Sequence, residues 1–173
     1  VEEHHESFIS KYIFSTDHKT IARQFLITGI FWAVIGGLLS LIFRLQLGFP
    51  DADLSWLKPV LGSNVEGGSM DTEFYLSMVT MHGTIMVFFV LTAGLSGTFA
   101  NLLIPLQIGC RDMASGFLNM LSYWFFFVAS VVMLVSFFAG SGAASAGWTV
   151  YPPLSALPQA IEGSGLGMTL WLV

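Results

Sequence analysis

The sequence predicts an all-α protein, a polytopic transmembrane helix bundle with three full spans and the start of a fourth. Its 173 residues are 54% hydrophobic and 10% charged, with a mean hydropathy of +0.75, more apolar material than a water-soluble core of this length absorbs. Charge is absent from residues 24–43, 74–103 and 113–139, each near or above the roughly 20 residues that cross a bilayer. The net charge of -5 is dispersed, with no run of Lys and Arg of the kind that grips a phosphate backbone, so nucleic acid is excluded as a partner. Cys110 is the single cysteine, which rules out an intrachain disulfide and a cysteine-based metal cluster; it reads as a small buried residue.

The N-terminus is acidic, and His4 and His5 read as a solvated tail. Phe8, Ile9, Tyr12 and Ile13 stand among Ser7, Ser10 and Lys11 at spacings that gather them on one helical face, which predicts an interfacial helix. No basic start leads into a continuous apolar core with a small-residue cleavage site, so no cleavable signal peptide is expected. The spans are placed at about residues 20–43, 74–104 and 114–139, with an incomplete fourth at 165–173. That last stretch is too short to cross, and the chain is therefore expected to be part of a larger polypeptide. Lys11, Lys19 and Arg23 precede the first span and Arg111 follows the second, whereas Lys58 is alone in the loop at 45–72. The N-terminus is accordingly expected on the cytoplasmic or matrix side. The two opposite loops, 45–72 and about 140–164, are rich in Gly, Pro, Ser and acids and read as ordered connections.

Four sets of residues carry candidate chemistry. On the first span Gly29, Ala33, Gly37, Ser40 and Arg44 recur every three or four residues as one stripe. The stripe either admits a close-packed helix, with Arg44 reaching the headgroups, or faces a flat cofactor with an acceptor near Arg44. On the second span His82 lies about nine residues past Glu73, roughly 13 Å into the helix at about 1.5 Å per residue, with Gly83 beside it. An imidazole at that depth needs a partner for each nitrogen, and both a metal bond and an interhelical hydrogen bond satisfy the requirement. Between the second and third spans Asp112 stands with Asn101, Asn119 and Ser122, a polar line that either holds waters for proton relay or satisfies helix ends. Trp148 and Tyr151, with Pro152 and Pro153, sit in the later loop, as interfacial anchors or, for Trp148 together with Arg44, as donors to anionic cofactor groups.

Six runs, in order, resemble the N-terminal part of subunit 1 of the haem-copper terminal oxidases of the aa3-like, cytochrome c oxidase type. They are Phe14-Ser-Thr-Asp-His-Lys19, Leu39-Ser-Leu-Ile-Phe-Arg44, Thr80-Met-His-Gly-Thr-Ile-Met86, Asn101-Leu-Leu-Ile-Pro-Leu-Gln-Ile-Gly109, Arg111-Asp-Met-Ala114 and Gly147-Trp-Thr-Val-Tyr-Pro-Pro-Leu154. The resemblance implies that His82 is an axial ligand of a low-spin haem, taken as haem a, with Arg44 and Ser40 at its edge and Trp148 and Tyr151 on its propionate side. It implies that Asp112 is the entrance of a proton channel, with Asn101, Asn119 and Ser122 lining the mouth. The second low-spin ligand, the high-spin haem ligand and the copper ligands are expected beyond Val173, so this stretch alone is not expected to be active. Implied partners are the rest of subunit 1, oxidase subunits 2 and 3, a cytochrome c donor and membrane lipid, in an energy-coupling inner or plasma membrane.

The chain departs from the family pattern in places. Phe25 stands where many members carry a Tyr near the channel, and Gln46 stands where animal enzymes have an acid at an outer cation site, with Asp51 close by in sequence. Quinol-oxidising relatives carry Arg, Asp, His and Gln where this chain has Ile35, Leu39, Phe74 and Ser77, which favours a protein donor. The rival readings are a nitric oxide reductase-like relative and a cofactor-free membrane transporter or scaffold.

Overall fold

The computed structural model describes residues 7–155, 157, 159–161 and 163–173. His4, His5 and Glu162 lie outside them, and with them the readings of the N-terminal tail and of the acidic flank of the last helix. The described residues form helices α1 (His18–Gly48), α2 (Lys58–Leu61), α3 (Thr72–Thr84), α4 (Gly97–Ile108), α5 (Gly116–Ser136) and α6 (Leu166–Leu172). A two-stranded hairpin, β1 (Val65–Glu66) and β2 (Ser69–Met70), pairs Val65 with Met70 and Glu66 with Ser69. Gly67 and Gly68 close it at φ of 63° and 83°, a left-handed turn that side chains disfavour. The expected all-α class holds.

Polar residues start the helices where the apolar stretches begin. The Asp71 carboxylate accepts from the backbone N–H of Glu73 at 2.9 Å and of Phe74 at 3.0 Å, capping α3. Asp17 does the same for α1 through the N–H and hydroxyl of Thr20, both at 2.9 Å. The α4 helix stops at Gly109, which is left-handed at φ 72°, while the Cys110 N–H returns to the Pro105 carbonyl at 2.9 Å. Cys110 is exposed, which corrects the expectation that it is buried: it follows the helix stop rather than lying within the helix.

Between α3 and α4 the chain is not α-helical. Residues Ile85–Ser96 form a π-helix of 12 residues, so α3, this segment and α4 continue as one rod, Thr72–Ile108, of 37 residues. The hydroxyls of Thr92 and Ser96 donate to the carbonyls five residues back, Val87 at 2.8 Å and Leu91 at 3.3 Å. Apolar composition carries no signal for this widening, because both helix types put every backbone group into a bond. The rod, α1 and α5 are each long and apolar enough to cross a membrane. Side chains such as Ile27, Leu41, Phe88, Phe125 and Val128 remain exposed on them.

The structure divides into two compact units. The first comprises the described part of Val1–Trp32 with Val87–Val128; its core is Ile21, Phe25, Met120 and Tyr123, flanked by Trp124 and Phe126. Residues 8–13 make a short helical turn, tied to α1 by Gln24 Nε2, which donates to the carbonyls of Tyr12 and Ile13 at 2.9 and 3.1 Å. The second unit comprises Ala33–Met86 with Ala129–Val173. It contains one cluster around Phe43, Met70 and Met78 and another around Leu54, Leu57 and Val65, under the loop that bears α2 and the hairpin.

Within the first unit α1 meets the π-helical segment backbone to backbone. A Cβ on Gly94 would lie 2.9 Å from the Gly29 Cα and 2.8 Å from the Phe89 carbonyl oxygen. Neither neighbour is the end of a flexible side chain, so Gly94→Val is expected to destabilise the assembled protein by about 1–3 kcal/mol. Thermal inactivation of the purified variant checks this; a midpoint equal to that of the native protein would show that the helices can separate without cost.

Candidate functional site

In the second unit His82 comes within the last α-turn before the π-helix. The Ile85 N–H is shared between the Met81 and His82 carbonyls, the point at which the helical ladder changes pitch. The imidazole is half-buried, and its Nδ1 lies 2.8 Å from the Gly36 carbonyl oxygen of α1. A carbonyl only accepts, so Nδ1 carries a proton, and in the neutral ring Nε2 is the nitrogen with the lone pair. No partner occupies Nε2 among the described residues. Phe43 flanks the ring edge-on, 5.5 Å between centroids. Gly36 makes the contact possible: a Cβ there would lie 2.8 Å from Met86 Sδ and 3.1 Å from Ile85 Cγ2.

The small-residue stripe of α1 serves two purposes. Gly29 meets Gly94 in the first unit, whereas a Cβ on Gly37 would have nothing within 4 Å. Beyond Gly37, Ser40 is half-buried and Arg44 exposed, and neither has a hydrogen bond or ion pair among the described residues. This donor set, an imidazole lone pair, an open glycine face and a free guanidinium, fits a flat anionic metallocycle. Among the described residues no group of three or more His, Cys, Asp or Glu is placed to hold a metal ion, so a metal at His82 needs ligands from outside this set.

Trp148 and Tyr151 are both exposed on the loop before α6. The Trp148 indole N–H donates to Thr84 Oγ1 at 3.0 Å, and its ring lies 3.7 Å from where a Gly83 Cβ would be. Trp171 of α6 donates to the same hydroxyl at 3.0 Å, and Thr84 donates onward to the Thr80 carbonyl at 2.8 Å. Trp148 therefore directs its indole N–H to Thr84. Thr84 and Trp171 carried no sequence signal of this role, because their meeting spans 87 residues. At the end of α1, Gln46 Oε1 accepts from the Met70 N–H at 2.9 Å, fastening β2 to the helix.

In the first unit Asp112 is exposed, and its Oδ1 accepts from the backbone N–H of Met113 at 2.8 Å and of His18 at 3.2 Å. His18 is buried, with Nδ1 2.8 Å from the Asn101 carbonyl oxygen. The structure thus brings Asp112 and Asn101 together through His18, which the sequence reading placed only ahead of the first span. Its one advance signal was its place in the run from Phe14 to Lys19. Asn101 is buried; its Nδ2 donates to the Gly97 carbonyl at 2.7 Å and its Oδ1 has no partner. Asn119 Nδ2 is likewise buried and unpartnered. Ser122 is exposed and turns its hydroxyl back to the Asn119 carbonyl at 2.7 Å. A buried acceptor on Asn101 and a buried donor on Asn119, both unsatisfied by protein, are the groups that hold internal water.

Residues 20–173 match the family of cytochrome c and quinol oxidase polypeptide I. The chain belongs to that family. It is 40% identical over 169 residues to the alternative cytochrome c oxidase subunit 1 of Bradyrhizobium diazoefficiens, covering 98% of this chain and 26% of that protein. It is 37% identical to the heme-copper oxidase subunit I+III of Aeropyrum pernix, over 95% of this chain and 18% of that protein. It is 36% identical to the probable cytochrome c oxidase subunit 1-alpha of Streptomyces coelicolor, over 95% of this chain and 25% of that protein. The chain therefore spans about a quarter or less of the length of these relatives. Family membership and three membrane-length apolar helices make it a stretch of an integral membrane protein, as the six matched runs led us to expect.

Asp17, which precedes His18, makes the stability of the first unit depend on pH. Burial pushes its carboxyl pKa up, but the hydrogen bonds from the Thr20 N–H and hydroxyl, with the charges of His18 and Lys19, outweigh it and hold the pKa below the usual value. A depressed carboxyl pKa stabilises the folded state above the unfolded-state value and loses that contribution as pH falls through the folded-state value. Asp17→Asn, which keeps an acceptor for the cap, is expected to flatten the acid limb of the stability profile. Thermal midpoints measured from neutral pH downward test this, and an unchanged acid limb would remove Asp17 from the account.

Proposed function

We propose that this chain is the N-terminal portion of the catalytic subunit of a terminal respiratory oxidase, which takes electrons from cytochrome c and reduces dioxygen to water with coupled proton uptake and pumping. The observation that carries the proposal is the His82 imidazole, fixed by the Gly36 carbonyl so that Nε2 faces away with its lone pair, in a chain of this family. His82 would hold the iron of a low-spin haem, most simply haem a, with Ser40 and Arg44 along its edge and Trp148 and Tyr151 beside its propionates. When bound, the haem supplies a one-electron carrier whose potential is tuned by its axial ligands, hydrogen bonds and burial.

The chain's own residues do the rest of the local work. Gly36 fixes the tautomer and plane of His82, the orienting role that an outer hydrogen bond plays for a metal-bound imidazole. Thr84 anchors the Trp148 indole two residues past His82. Asp112 would gather protons at the surface, and Asn101 and Asn119 would hold the waters that receive them, with Ser122 at the mouth. A high-spin haem and copper, held by residues outside this chain, would complete the reaction centre. The partners would be the rest of subunit 1 and subunits 2 and 3; a relative whose name joins I and III supports the last. The membrane would be an energy-coupling inner or plasma membrane, with the N-terminus on the cytoplasmic or matrix side.

A protein donor is favoured over quinol by the side chains at the compared positions, three of which line a cavity of about 240 Å³ in the second unit. Leu39, Phe74 and Ser77 line it, at three of the positions where quinol-oxidising relatives carry Asp, His and Gln; Leu39 and Phe74 have no hydrogen-bonding group, and Ser77 turns its hydroxyl to the Phe74 carbonyl at 2.8 Å.

In the intact complex His82→Ala is expected to abolish the low-spin haem absorption, and a retained signal would refute the ligand assignment. A purified complex with no haem bands at all would favour the transporter or scaffold, and nitric oxide consumption without oxygen uptake would favour the reductase. Asp112→Asn is expected to slow proton uptake by about tenfold or more while leaving the haem spectrum intact. Unchanged turnover with unchanged pumping would remove Asp112 from the path.

A further inference from the structure

Two buried hydroxyls meet inside the first unit, beside a largely apolar cluster. Tyr123 Oη of α5 lies 3.1 Å from Thr28 Oγ1 of α1, and the two residues are only 7% and 9% exposed. Around them are Phe25, edge-on to the Tyr123 ring at 5.2 Å, with Met120 and Phe126. Two apolar side chains of the same shape would fill this space without the cost of desolvating two hydroxyls. The mutual bond uses one O–H donor and leaves the other, together with free lone pairs on both oxygens. Either oxygen can be the donor, so the bond can run in both directions, which an amide–carbonyl bond cannot do.

The second observation comes from the same helix. Asn119 lies one turn before Tyr123 on α5, so the two share a face. Its Nδ2 is buried without a partner, as is the Oδ1 of Asn101, whose side chain is 5% exposed. Such orphaned groups are occupied by water in folded proteins. Water at Asn119 would lie on the face of α5 that also carries Tyr123.

We propose that the Tyr123–Thr28 pair is a proton-relay station that follows the Asn101 and Asn119 waters on the path beginning at Asp112; the inference rests on the uptake reading of Asp112 given above. A water-borne proton adds to a lone pair on the first hydroxyl oxygen. That oxygen's own proton passes along the bond to the second hydroxyl, which releases its proton to a further water. One proton enters and one leaves, no electron moves, and both hydroxyls end neutral with their bond reversed. Rotation about the two C–O bonds resets the pair. Phe25 is the apolar wall that keeps bulk water from bypassing the hydroxyls.

The test is proton uptake and turnover by the intact oxidase in sealed vesicles, with the haem absorption spectrum as the check on assembly. Tyr123→Phe and Thr28→Val are each expected to slow uptake by about tenfold, the rate equivalent of one hydrogen bond lost from the path, with the spectrum unchanged. Thr28→Ser, which keeps the hydroxyl, is expected to retain the native rate. Thr28→Val is close to isosteric and carries the test if Tyr123→Phe does not assemble. Native rates in Tyr123→Phe and Thr28→Val, or equal slowing in Thr28→Val and Thr28→Ser, would overturn the relay. Asp112→Asn measured alongside separates the two claims: slowing there alone rejects the relay and leaves the entrance, whereas native rates in all the variants reject both.

Discussion

A polar group inside an apolar bundle must find a partner, and the contacts that give this chain its chemistry follow from that constraint. His82 meets it with one nitrogen on the Gly36 carbonyl. The bond forms because Gly36 has no side chain to hold α1 and α3 apart, and it fixes which nitrogen carries the proton. An imidazole so held has a single orientation and a single free lone pair. The same carbonyl thereby fastens two helices of the second unit and sets the imidazole in the orientation that the proposed ligand role needs.

The first unit meets the constraint differently. The surface carboxylate of Asp112 is tied to backbone N–H groups, and His18 is buried against the Asn101 carbonyl, so these groups are satisfied by protein. Deeper in, Asn101 Oδ1 and Asn119 Nδ2 are not, and two hydroxyls bond only to each other. A structural role alone asks for complete satisfaction, because a partly satisfied network costs more than an apolar one. A conduit asks for spare donors and acceptors. The incomplete bonding is therefore the property that the proposed water-filled path requires.

Much of the fold was legible because its signals are local. Runs without charge marked the long helices, and the acids at their flanks, Asp17 and Asp71, cap them. Family membership was legible by a different route, through short runs such as the one around His82 whose order along the chain matched a family. The π-helical segment was not legible, because residues 85–96 have the apolar composition that an α-helix would also have. Exposure of Cys110 was missed for a related reason: a glycine at 109 ended the helix one residue earlier.

The sequence by itself determined how many long apolar helices form, where they begin, and which polar residues enter them, since composition and spacing act over a few residues. Only the tertiary structure decided which nitrogen of His82 is free, that His18 joins Asp112 to Asn101, that Trp148 and Trp171 share Thr84, and that Tyr123 meets Thr28. Each of these pairings closes over 46 to 95 residues of chain. A hydrogen bond depends on tenths of an ångström, and across such separations distance is set by how helices pack rather than by the order of residues.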